Sequence, residues 1–204
     1  MKKGKIISVI ILAAIFAVVA ALALTGTLEA IEPEIHKLLN PNAEINEFFH
    51  SFTILGHVIL DVSIIAVLVF LPMTSKKVGI PVALTAIAST VLNKVIKIIV
   101  ARPRPENMIL EEPSYSFPSG HAMNNAAIYI TIMLCLLPLC KTKAQKGIVI
   151  AIFTIIPFII GVSRIYFNVH FTSDVICGWC LGAIVAILMS EIPFIKKGAL
   201  NEQN

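Results

Sequence analysis

Apolar residues along this chain recur in long unbroken runs, not in the one-sided stripes of a soluble helix. Six runs stand out, at 6–24, 54–71, 80–100, 121–139, 148–162 and 175–192. A helix needs about 20 apolar residues, at a rise of 1.5 Å each, to cross the hydrocarbon of a bilayer. The pattern predicts an all-α, integral membrane bundle of six transmembrane helices, with 1–204 as a single domain. Between the first two runs, residues 25–53 mix Glu29, Glu32, Glu34, Glu44 and Glu47 with Leu38, Leu39, Phe48, Phe49 and Phe52. That mixture predicts short interfacial helices or a cap in the first outer loop.

Positive residues orient the bundle. Lys2, Lys3, Lys5, Lys76, Lys77, Lys141, Lys143, Lys146, Lys196 and Lys197 all fall on one side if the chain crosses six times. The other side has only Lys37, Arg102, Arg104 and Arg164. Both termini are therefore expected in the cytoplasm of a multi-pass cell-membrane protein. The lysines ahead of the first run also fit a signal peptide cleaved near Ala23. That run exceeds the usual ~7–15-residue signal core, so a retained span is expected.

Composition agrees with the pattern. Hydrophobic residues make up 57% of the chain and charged residues 14%, against about a quarter charged in soluble domains. The net charge of +4 is dispersed in small groups between apolar runs, which argues against nucleic acid as a partner. Cys135, Cys140, Cys177 and Cys180 lie in or beside spans, where a thiol packs as a small hydrophobe. The single Cys-x-x-Cys lacks the second ligand pair of a zinc site.

Candidate chemistry is concentrated in three clusters, all at one membrane face. Lys97 is followed after six residues by Arg104-Pro105; Pro118-Ser119-Gly120-His121 opens the fourth run; Ser163-Arg164, His170 and Asp174 join the fifth and sixth. Cations at such places are costly without partners, so Lys97, Arg104 and Arg164 call for an anion, and phosphate suits them. Ser119 and Gly120, at a helix start, add a hydroxyl and free N–H groups. The spacing of His170 and Asp174 allows the carboxylate to orient the imidazole as a nucleophile. His121 then serves the leaving oxygen as a protonated acid, with His170 neutral.

These clusters resemble the signature of the type 2 phosphatidic acid phosphatase (PAP2) family. That signature is lysine, six residues, Arg-Pro; then Pro-Ser-Gly-His; then Ser-Arg, five residues, His, three residues, Asp, and each position is matched here. The resemblance implies a membrane lipid phosphatase that needs no metal or other cofactor and acts on a lipid phosphate or diphosphate through a phosphohistidine at the extracytoplasmic face. His170, His121 and Asp174 would be catalytic, and Lys97, Arg104, Ser119, Gly120 and Arg164 would bind phosphate. The small size is most like bacterial phosphatidylglycerophosphate and undecaprenyl diphosphate phosphatases, with a lipid phosphate and the bilayer as partners. Phosphotransfer within the family is an alternative, and an anion transporter a more distant one. A metal-dependent phosphatase would have to draw on Glu106, Glu111, Glu112 and Asp174, which no motif links.

Other polar residues carry weaker expectations. Asp61 and Lys94 fall at similar depth, which predicts an ion pair beneath the site. His57 is read as structural, and Arg102 as meeting either a headgroup or the interface.

Overall fold

The computed structural model describes residues 1–71 and 75–192. Pro72, Lys196 and Lys197 lie outside them, as does the side chain of Lys76. The described residues form eight α-helices and no strand: α1 (Lys3–Leu24), α2 (Glu32–Leu39), α3 (Glu47–Leu55), α4 (Val58–Phe70), α5 (Ile80–Val100), α6 (Gly120–Leu136), α7 (Lys143–Tyr166) and α8 (Thr172–Met189). Five stretches are long and apolar enough to cross a membrane, and α3 with α4 passes the same test as a pair bent by 50°.

That bend corrects the expected uninterrupted second span. Gly56 and His57 interrupt it, and His57 has extended backbone and caps α4, its Nδ1 accepting from the Ile59 N–H at 3.4 Å. A Cβ at Gly56 would lie 2.5 Å from Ile160 Cγ2, so the chain can approach α7 this closely only at a glycine. His57 is thus structural, as expected.

The fifth run also differs from its helix. The α7 helix starts early because Thr142 and Gln145 form a capping box, and it runs on through Arg164. Ser163 and Arg164 therefore sit in its last turn, not in a linker. The carbonyl of its internal Pro157 accepts the Trp179 Nε1–H of α8 at 3.1 Å.

Helices α6 and α8 form the centre: 56% of each span is buried, against 6% for α1. Small residues allow their backbones to meet, since a Cβ at Gly182 would lie 2.2 Å from the Met123 carbonyl oxygen. The outward faces of α1 and α5 expose large apolar residues such as Ile10, Val18, Ile98 and Ile99. A belt of this kind suits lipid. At one end Lys5 of α1 pairs with Glu191, just beyond α8, at 2.7 Å. The opposite end collects the C-terminus of α5, the N-terminus of α6, the C-terminus of α7 and the N-terminus of α8. All three sequence clusters are there.

Candidate active site

Local sequence places each cluster. Helix α5 ends at Ala101, which adopts a left-handed conformation (φ 48°), and Pro103 and Pro105 keep the chain from resuming the helix. Lys97, in its last turn, donates to the carbonyls of Tyr115 and Ser116. Ser119 is the N-cap of α6 and its Oγ accepts from the Ala122 N–H at 3.5 Å. The Ser119 N–H donates to the Asp174 carbonyl at 3.0 Å, which fastens the second cluster to the third.

Lys97, Arg104, Gly120, His121 and His170 line one cavity of ≈ 230 Å³. Ser119, Arg164 and Asp174 are not on its wall. Ser119 is fully buried with its hydroxyl engaged as a cap, so Gly120 presents this helix start to the cavity.

The imidazole of His170 is 3% exposed. Its Nδ1 lies 3.5 Å from Asp174 Oδ2 and 3.5 Å from Ser116 Oγ, while Nε2 faces an Arg104 guanidinium nitrogen at 3.3 Å. This arrangement ties Nδ1 and turns Nε2 toward the cavity. Burial pushes the His170 imidazolium down to about 3, against the pull of Asp174 in the other direction. The ring is therefore neutral at ordinary pH. Arg104 is held by the carbonyl of Val169 at 2.6 Å and the hydroxyl of Ser114 at 3.1 Å. Its own proton affinity is lowered by burial, with Glu112 and Asp174 opposing.

Asp174 is completely buried and accepts hydrogen bonds at both oxygens. Oδ2 takes the Phe171 N–H at 3.0 Å and the Ser116 hydroxyl, and Oδ1 takes Arg102 at 2.7 Å. Arg102 also pairs with Glu32 of α2 at 2.8 Å and lies 4.1 Å from the centre of the Phe171 ring. Its guanidinium is thus engaged by two carboxylates and an aromatic ring of the protein itself. Glu32 in turn accepts the Ser173 N–H at 2.9 Å, at the N-terminus of α8, where a carboxylate is favoured. The segment between α1 and α3 thus docks on the site through a buried Glu32–Arg102–Asp174 chain. His36 Nδ1 adds a contact of 3.0 Å to the Ile165 carbonyl oxygen.

Arg164, 1% exposed, pairs with Glu112, whose other oxygen lies 3.8 Å from Arg104. Thr53 Oγ1, 3.4 Å from Arg164, is itself 2.7 Å from Ser163 Oγ. A carboxylate thus bridges two of the cations assigned to phosphate. Four cations (Lys97, Arg102, Arg104, Arg164) and three carboxylates (Glu32, Glu112, Asp174) surround the site.

Glu32, Arg102, Glu112, Ser116 and Thr53 were not identified as site residues by the sequence. Arg102 was noted for its place two residues before Arg104, and Glu112 only as a ligand a metal-dependent phosphatase would have to draw on. Asp61 and Lys94 both line the cavity but form no ion pair: Lys94 is exposed, and Asp61 Oδ1 is buried without a partner. Cys177 and Cys180 are buried free thiols. Among the described residues no three His, Cys, Asp or Glu side chains are grouped as metal ligands.

The chain is similar to several known proteins. Residues 78–197 match the PAP2 superfamily. The chain is 40% identical over 100 residues to phosphatidylglycerophosphatase B of Bacillus subtilis (strain 168), a match covering 48% of this chain and 49% of that protein. It is 32% identical over 168 residues to undecaprenyl-diphosphatase of Sulfolobus acidocaldarius, covering 78% and 77%. The crystal structure of a transmembrane PAP2 type phosphatidylglycerolphosphate phosphatase from Bacillus subtilis superposes with a TM-score of 0.80 at 30% identity, over 90% of this chain and 94% of that one. Aquifex aeolicus LpxE superposes with a TM-score of 0.60 at 26% identity, over 79% and 96%.

Proposed function

Since the chain belongs to the PAP2 superfamily, whose named relatives here are phosphatases of lipid phosphates, we propose that it dephosphorylates a membrane lipid phosphate or diphosphate through a phosphohistidine on His170. The observation that carries this reading is the two-sided hold on that ring, with Nδ1 beside Asp174 and Nε2 at the cavity.

The phosphoryl group takes the place of the Glu112 carboxylate between Arg104 and Arg164, with Lys97 and the N–H groups at Gly120 completing the grip. Arg104, drawn onto a phosphoryl oxygen, leaves the lone pair of His170 Nε2 free. Nε2 attacks phosphorus and the P–O bond to the lipid breaks. His121 gives its proton to the departing oxygen, and its Nε2 has no other buried partner. Water then attacks phosphorus while His121 takes a proton from it, the N–P bond breaks to restore the neutral His170, and phosphate leaves. Asp174 holds the charge that grows on His170, and Arg102 holds Asp174. The residues carry every proton step, so no metal is required.

With α3 and α4 counted as one bent span, and with lysine-rich ends favouring the cytoplasm, this reading has six crossings and a site at the extracytoplasmic face. Helix α2 lies at that outer interface as a cap. The lipid tail leaves the cavity between α4 and α5, where Val58 and Lys94 line it from facing helices.

The test is phosphate release by the purified protein from phosphatidylglycerophosphate, undecaprenyl diphosphate and phosphatidic acid, with and without excess chelator. Release is expected from at least one of the three in both conditions, and none from His170→Ala. A fully active His170→Ala protein ends the assignment of the nucleophile. Loss of turnover in chelator ends the metal-independent mechanism.

A further inference from the structure

Of the residues lining the catalytic cavity, two have a buried side-chain polar atom with no hydrogen-bond partner among the described residues: His121 at Nε2 and Asp61 at Oδ1. His121 is accounted for by the leaving oxygen; Asp61 is not. It is 6% exposed, in the first turn of α4, just past the break at Gly56 and His57. Helices carry carboxylates well in their first turn, but this one makes no ion pair with Lys94 and no hydrogen bond through Oδ1. A buried acceptor left open is costly, and it persists where a ligand completes it.

The geometry points to Asp61 as a specificity residue, whose open carboxyl oxygen accepts a hydroxyl of the leaving alcohol and so selects lipid phosphates carrying a free hydroxyl beside the scissile ester. Asp61 shares the wall of this cavity with the phosphoryl-binding groups Lys97, Arg104 and His170 and with His121. A leaving group whose oxygen is served by His121 is therefore enclosed in the same cavity as Asp61. The cavity of ≈ 230 Å³ is several times the roughly 30 Å³ share of one water, so it admits more than the phosphoryl group alone. Asn124, on the same wall, has its amide oxygen engaged by Ser89 at 2.7 Å, which leaves its NH2 as a donor for the oxygen of that hydroxyl. Phosphatidylglycerophosphate carries such a hydroxyl on its terminal glycerol; phosphatidic acid, with both neighbouring oxygens acylated, does not.

This inference rests on the lipid phosphatase reading, and the experiment separates the two. The kcat/KM of purified wild type and Asp61→Leu is measured on phosphatidylglycerophosphate and on phosphatidic acid, and the ratio of the two is compared. One hydrogen bond lost corresponds to a fall in the ratio on the order of tenfold. A ratio within threefold of wild type, whether both activities fall together or neither changes, overturns the inference and leaves the phosphatase reading intact. Wild type that releases phosphate from neither lipid, nor from undecaprenyl diphosphate, overturns the reading and the inference with it. If Asp61→Leu is inactive on both lipids, Asp61→Ser, which shortens the side chain and keeps it polar, is read by the same ratio and the same threshold.

Discussion

Glu112 forms an ion pair with Arg164, a residue 1% exposed, while remaining itself 24% exposed. One partner is fixed in the bundle and the other reaches it from a loop. In the absence of substrate the carboxylate satisfies a guanidinium that would otherwise be buried and unpaired, which is expensive. In the mechanism proposed above, phosphate displaces it. Glu112→Gln is therefore expected to lower the Tm of the purified protein and to tighten inorganic phosphate as a competitive inhibitor by roughly tenfold, the equivalent of about 1.4 kcal/mol. Added phosphate should recover part of the lost Tm. Phosphate binding weaker than in wild type would show that Glu112 positions Arg164 for the substrate instead of standing in its place.

Arg102 joins Glu32 and Asp174 in a buried chain, at 2.8 and 2.7 Å. Removing the central cation leaves two carboxylates facing each other without compensation. Arg102→Gln should destabilise by about 3–5 kcal/mol, the range for breaking one side of a buried pair. Because Arg102 acts through Asp174 and does not line the 230 Å³ cavity, kcat should fall more than KM rises. An unchanged kcat in protein that has kept its fold would confine Arg102 to stability.

The acid response follows from His170. Burial holds its folded-state value at about 3, while the unfolded chain titrates near 6.5. Below the unfolded value the unfolded state binds the proton and the folded state does not, so stability is full above about pH 6.5 and is lost as pH falls toward 3. The thermal midpoint in detergent, measured from pH 7 to pH 4, should fall for wild type and fall less for His170→Gln. Equal slopes would mean that the ring is accessible to protons in the folded protein.

Much of this arrangement was legible because its parts are local. Apolar runs mark membrane helices whatever their neighbours, and the cluster of Pro118, Ser119, Gly120 and His121 carries its own helix start. What escaped is tertiary. The second run reads as continuous because hydropathy does not register that Gly56 lies where a Cβ would meet Ile160 at 2.5 Å. Glu32 and Arg102 are 70 residues apart, and nothing in either neighbourhood announces the other. Asp61 and Lys94 illustrate the converse. Equal depth suggested a pair, but depth leaves the direction of a side chain undetermined: Lys94 is exposed and Asp61 buried, and the two form no ion pair although both line the cavity.

Gly182 tests how tightly the centre of the bundle is built. Its added Cβ would lie 2.2 Å from the Met123 carbonyl and 2.8 Å from Ala126 Cβ. Backbone cannot yield as a flexible side chain does, so α6 and α8 would have to separate. Gly182→Ala should cost about 1–3 kcal/mol, and activity should fall because Ser119 is tied to Asp174 across the same interface at 3.0 Å. Gly147→Ala, with nothing within 4 Å, is the matched control and should behave as wild type.

The acid role of His121 predicts a difference between substrates. An alkoxide leaving from a phosphomonoester is a strong base and gains much from a proton in the transition state; a phosphate leaving from a diphosphate is a weak base and gains little. General acid catalysis is worth roughly 10²–10⁴-fold where it is needed. His121→Ala should therefore reduce kcat on phosphatidylglycerophosphate by a factor in that range, and on undecaprenyl diphosphate by at least tenfold less. The unpartnered Nε2 of His121 makes the variant a clean deletion, since no buried hydrogen bond is broken with it. Equal losses on both substrates would place the role of His121 in the second step, the activation of water on the phosphohistidine, which both substrates share.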